Sequence, residues 1–102
     1  MRRVTRLMYI DHETKWYKLT VPDDDDFRIR QVMTINESND VYAVVEHREE
    51  DDYRDKARVI TIRIVCDTDP FEIPEDAKYL GTIWHRRNGV PYHFYQMPWP
   101  PK

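Results

Sequence analysis

Apolar and polar residues alternate with a period of two over much of the chain. From Phe27 onward one face reads Phe27, Ile29, Gln31, Met33 and Ile35, with Arg28 and Arg30 between them. That spacing predicts a half-exposed β-strand. Residues 41–47 (VYAVVEH) are apolar on both faces for most of their length, which predicts a central strand. The turn-forming stretch 36–40 (NESND) between the two runs predicts that they pair as a hairpin. The clearest strand is 59–66 (VITIRIVC): Ile60, Ile62, Ile64 and Cys66 share one face, and Thr61 and Arg63 share the other. Residues 4–10 and 15–21 add two more strand candidates, connected by 11–14 (DHET).

The last quarter of the chain carries the sharpest local signal. Residues 79–87 and 90–97 are rich in aromatic and β-branched types and are joined by Asn88-Gly89. An Asn-Gly pair between two such runs predicts a hairpin, because a type I′ turn needs positive φ at both central residues. A two-residue turn would set Arg87 opposite Val90, Ile83 opposite Phe94 and Trp84 opposite His93. One face would then hold Ile83, Tyr92 and Phe94, and the other Trp84, His93 and Tyr95. Six or seven short strands predict an all-β domain over residues 1–97, a small antiparallel sandwich or a partly open barrel. The Pro-rich end, 98–102 (PWPPK), predicts an extended tail.

Two segments break the pattern. Residues 46–58 (EHREEDDYRDKAR) offer no apolar face to bury and predict a long loop; 67–76 (DTDPFEIPED) predicts another. There is also an internal echo. Residues 19–24 (LTVPDD) and 71–76 (FEIPED) each place a proline and two acids ahead of a hairpin. The echo predicts two similar β units packed together.

The chain has 102 residues, room for one domain. No run approaches the ~20 apolar residues of a membrane span, and the start (MRRVTRLMYIDHE) lacks the apolar core of a secretory signal. One cysteine excludes an intramolecular disulfide, and Cys66 reads as core filling in a reducing compartment. There are 19 acidic and 16 basic residues, far from the basic excess of an autonomous nucleic-acid-binding domain. The charges are clustered. Asp23, Asp24, Asp25 and Asp26 form one run, and Arg86 and Arg87 stand side by side near the Asn-Gly turn.

Chemistry is hard to build from these residues. Two isolated glycines make no phosphate loop, and the lone serine, Ser38, sits in a turn. His85 and His93 fall on opposite faces of the predicted hairpin, as do Glu46 and His47 of their strand, so no metal-ligand set converges. The acid clusters lie in predicted loops, where solvation keeps them ionised. The expectation is a protein without enzymatic activity, cofactor or metal.

The aromatic content exceeds what one face of one hairpin must bury. Trp, Tyr and Arg are the types that dominate interface hot spots. Trp84, Tyr95, Arg86, Arg87 and the run Asp23, Asp24, Asp25 and Asp26 are therefore the candidate partner-binding residues. Basic residues beside aromatics also suit single-stranded nucleic acid. A nucleic-acid binder or acidic mimic is accordingly the alternative, and a structural virion subunit a third.

The stretch 73–84 (IPEDAKYLGTIW), followed by a turn and 90–95 (VPYHFY), resembles a family of small phage and prophage proteins. The distinctive residues are Tyr79, Leu80, Gly81 and Thr82, with His93, Phe94 and Tyr95. Val21-Pro22 and residues 41–45 (VYAVV) resemble the family's first half, so the likeness spans 15–96. The chain departs from the family in the acidic stretch 48–57 and in its Trp-containing tail. The resemblance brings no activity with it. It implies a phage accessory protein acting in the bacterial cytoplasm, an inhibitor with a bacterial host or defence protein as partner. Homodimerisation through an exposed strand edge or the aromatic face is left open by the residues themselves.

Overall fold

The structure, a computed structural model, describes residues 3–23, 26–35, 38–48, 57–66, 70–86 and 89–98. These form seven strands and no helix: β1 (Arg3–Ile10), β2 (Trp16–Pro22), β3 (Arg28–Thr34), β4 (Val41–Arg48), β5 (Ala57–Cys66), β6 (Lys78–Trp84) and β7 (Pro91–Gln96). They make two antiparallel sheets packed face to face, one in the order β1-β4-β3 and the other β2-β5-β7-β6. This is an open sandwich, not a closed barrel. The loop expected over 46–58 is shorter: residues 46–48 continue β4 and 57–58 already belong to β5, because cross-strand pairing carries both strands past their apolar stretches, while 49–56 lie outside the described residues. Of the expected tail 98–102, Pro98 lies outside any strand and 99–102 are not among the described residues.

Alternation along the strands builds the core. β4 buries every second side chain, Val41, Ala43, Val45 and His47, as the centre of its sheet. β5 contributes Ile60, Ile62 and Ile64, β7 contributes Phe94, and the two sets meet around Ile29, Val21 and Ile10. Cys66 is only partly buried and lies at the rim of this core.

Two β-bulges shape the seam where β3 and β6 lie against each other. The first falls between Ile29 and Gln31 and moves the buried set from Ile29 to Val32. The even alternation expected through Gln31 and Met33 is therefore broken, and Gln31 is exposed. An extra residue in one strand flips the face of all that follow. The second bulge, between Tyr79 and Gly81, buries Leu80. Gly81 there has φ +134°, and a Cβ on it would meet Val32 Cγ2 at 3.2 Å. Beside the first bulge, Lys78 Nζ donates to the Ile29 carbonyl at 2.7 Å and ties the sheets together.

The C-terminal hairpin forms in a register two residues away from the expected one. Trp84 faces Pro91, Ile83 faces Tyr92 and Thr82 faces His93. The connection is longer than two residues: His85 N donates to Val90 O at 3.0 Å, and Gly89 N to His85 O at 2.8 Å. Gly89, at φ +67°, supplies the left-handed residue that closes this loop. A slip of two leaves residues 82–84 and 92–95 on their predicted faces, so the apolar pattern does not distinguish the registers; only Tyr79 and Leu80, beyond the bulge, exchange faces. Arg87 and Asn88 lie outside the described residues.

The two sheets share one order. β1-β4-β3 and β5-β7-β6 each set the first strand beside the last, and the last beside the middle. The sequence echo precedes the β3–β4 and β6–β7 hairpins. Its first copy includes the end of β2, which crosses to the other sheet, whereas residues 71–74 form no strand.

Candidate functional site

The outer face of the four-stranded sheet carries the aromatic residues that the core does not absorb. Cross-strand pairing sets Trp16 opposite Arg63, Arg63 opposite Tyr95, and Tyr95 opposite Tyr79. One row thus crosses all four strands and contains only rings and a guanidinium. The row exists because Arg63 alternates outward from Ile62 and Ile64, and Tyr95 outward from Phe94. The Tyr95 ring centre lies 5.4 Å from that of Tyr79 and 6.4 Å from that of Phe71, which reaches in from the segment before β6.

Arg63 is the centre of this row and is only 7% exposed. Its guanidinium carbon stands 4.8 Å from the Trp16 ring centre and 4.6 Å from that of Phe71. Nη1 donates to the Lys15 carbonyl at 3.0 Å and to that of Ile64 at 3.4 Å. Nε has no partner among the described residues. Two ring faces and two carbonyls therefore hold a cation flat against the sheet.

A second polar row lies beside the first. The Tyr79 hydroxyl contacts Thr82 Oγ1, which in turn lies 2.8 Å from His93 Nδ1. Three rings remain open to solvent on this side: Trp16 at 51%, Tyr79 at 53% and Trp84 at 65% exposed.

Of the sequence candidates, Trp84 and Tyr95 both belong to this sheet, but they do not stack: Trp84 lies opposite Pro91, not His93. Arg86 follows β6, and its backbone N–H donates to Asn39 Oδ1 at 3.2 Å, joining the ends of the two hairpins. Asp23 and Asp26 stand at the other end of the sandwich, where β3 begins. Asp26 pairs with Arg48 at 2.5 Å, and Asp23 reaches Arg58 at 4.0 Å. The fold therefore does not bring these acids and Arg86 together. Asp24, Asp25 and Arg87 lie outside the described residues.

Sequence reasoning missed Trp16, Arg63, Phe71 and Tyr79. Trp16 and Arg63 were visible only as outward strand positions and Phe71 as a loop aromatic, while Tyr79, which alternation sets on the Ile83 face, turns outward at the Leu80 bulge; strand order then makes the four neighbours.

Histidine placement agrees with the expected faces. His47 points into the core, and Glu46 points out towards Arg30. His85 packs near His12 and Tyr92, while His93 is on the outer face. His12, Tyr92 and Cys66 line an open cavity of about 260 Å³ at the rim of the sandwich. A histidine thus reaches the cysteine's surroundings despite their distance in sequence. No group of three or more metal-ligating side chains converges among the described residues. Among them, too, no helix is long and apolar enough to cross a membrane. Comparison with family models, curated proteins and solved structures found no match.

Proposed function

We propose that the chain is a non-enzymatic protein-binding module that docks through the outer face of the β2-β5-β7-β6 sheet. One observation carries the reading: Trp16, Arg63, Tyr95 and Tyr79 form a single row across four strands, with two of the rings half-exposed. Rigid aromatic rings on a sheet lose little side-chain freedom on binding, and Trp, Tyr and Arg are the residues that most often anchor an interface. The phage-protein resemblance adds a partner class. Of its distinctive residues, Tyr79, Thr82, His93 and Tyr95 are contiguous on this same face, whereas Leu80 and Phe94 are buried in the core. A bacterial host or defence protein is accordingly the proposed partner, met in the bacterial cytoplasm, with Trp84 and Arg86 at one margin of the docking face.

The test is affinity capture from bacterial lysate, followed by titration of the captured protein against variants. Trp16→Ala and Tyr79→Ala should each weaken binding about tenfold or more, as loss of an interface anchor does. Binding indifferent to both variants overturns the proposal. So does preferential binding of single-stranded oligonucleotides with a steep salt dependence, which would mark the same rings as a base-stacking platform.

A further inference from the structure

We propose that the chain pairs with a second copy of itself through the free edge of β1, joining two three-stranded sheets into one of six strands. The inference is independent of the docking face above, because β1 belongs to the other sheet. Among the described residues the two sheets present four edge strands: β1, β3, β2 and β6. Three of them carry features that discourage edge-to-edge pairing. β3 is bulged at Arg30 and lies against β6; β6 is bulged at Leu80; β2 ends in Pro22, which has no N–H to donate. β1 has none of these features. It holds eight residues in unbroken register with β4 and contains neither proline nor glycine.

The side chains on β1 suit a second copy. Thr5, Leu7 and Tyr9 alternate on its outer face, with Leu7 42% and Tyr9 47% exposed. Leu7 faces Val44, and Tyr9 stands edge-on to Tyr42 at 5.9 Å, so an apolar strip runs up to the open edge. Charge is divided along the strand. Arg3 and Arg6 lie towards its start, and Asp11 and Glu13 lie just past its end. An antiparallel two-fold arrangement sets each basic start against an acidic end, twice. In the register that places Leu7 opposite Leu7 of the other copy, Thr5 falls opposite Tyr9, Arg3 opposite Asp11, and Arg6 opposite Met8, along which its stem can lie. A self-complementary patch of this kind closes as a dimer and does not propagate.

Sedimentation velocity over a range of protein concentrations tests the proposal, with far-UV circular dichroism to confirm that each variant folds. The wild-type chain should dimerise. Leu7→Lys and Leu7→Asp should each weaken association about tenfold or more, because like charges then meet at the two-fold axis. An equimolar mixture of the two variants should restore the dimer. Thr5→Lys, on the same exposed face, serves if a Leu7 variant does not fold. Backbone amides of β1 should exchange more slowly at high protein concentration. A wild-type chain that stays monomeric overturns the proposal, as does a dimer unaffected by these variants. A dimer lost in Trp16→Ala overturns it too, since association would then run through the other sheet.

Discussion

The guanidinium carbon of Arg63 lies 4.6 Å from the ring centre of Phe71, a residue outside any strand. The contact explains how a charged side chain in the middle of a sheet comes to be only 7% exposed. Phe71 roofs one side of the cation and Trp16 flanks it, and the negative ring faces replace part of the lost hydration. Phe71→Ala should lower unfolding stability by ~1–3 kcal/mol, from lost apolar cover and lost cation–π attraction together. Phe71→Leu keeps most of the cover and should fall between the two. Urea unfolding of the three proteins measures both steps. Equal losses for Leu and Ala would assign the contact to the ring alone.

The two glycines should respond differently to alanine. Both have positive φ, but only Gly81 is crowded, with Val32 Cγ2 at 3.2 Å from the Cβ it would gain. Gly89 has open space around it. Gly89→Ala should cost ~1–2 kcal/mol, the ordinary penalty of a left-handed residue. Gly81→Ala should cost more, and Val32→Ala in the same chain should recover part of the excess. A double-mutant cycle in urea isolates that coupling. Independent, additive effects would show that β6 yields at the bulge without pressing on β3.

These residues also show what period-two reading can and cannot resolve. β4 was legible as a run apolar on both faces, of which the fold buries every second residue, and β5 as an alternating set, Ile60 to Ile64. The all-β class followed from them and from the aromatic hairpin. The bulges at Arg30 and Leu80 were not legible, because alternation counts one residue per step and neither position carries a mark of the extra one. Gly81 is a retrospective sign of the second bulge. The hairpin slip was invisible for the opposite reason: a shift of two preserves every face. The row of Trp16, Arg63, Tyr95 and Tyr79 needed the strand order β2-β5-β7-β6, which depends on long-range pairing and leaves no local pattern.

Glu46 should make the chain sensitive to acid. The hydrogen bond from Arg30, with Arg3 and Arg28 nearby, holds its carboxyl below the usual carboxylate range. A lowered native pKa means that the unfolded chain takes up the proton first. The stabilisation is therefore fully present above the ordinary carboxylate value and is lost as pH falls through the lowered one. Glu46→Gln should melt below the wild-type chain at neutral pH, and the gap should close in acid. Added salt should narrow it as well, because the group is solvent-facing. Melting curves across that pH range check the sign; a gap that widens in acid would contradict it.

Asp23 and Asp26 separate structural from partner-binding roles for the acidic run. Asp26 meets Arg48 at 2.5 Å, and Arg3 Nη2 donates to its carbonyl at 3.4 Å, so it fastens the ends of β1 and β4 to the start of β3. Asp23 stands 4.0 Å from Arg58 with most of its side chain in solvent. Asp26→Asn should therefore cost up to ~1 kcal/mol and Asp23→Asn close to nothing, the range for partly exposed ion pairs. Asp26 is also a poor mimic of a phosphate, because its charge is already met by Arg48. If the outer aromatic face is the docking surface, neither change should weaken binding of the captured partner, while Tyr79→Ala should. A partner that tolerates Tyr79→Ala but is lost with Asp23→Asn, in a chain of unchanged stability, would move the interface to the acidic end of the sandwich.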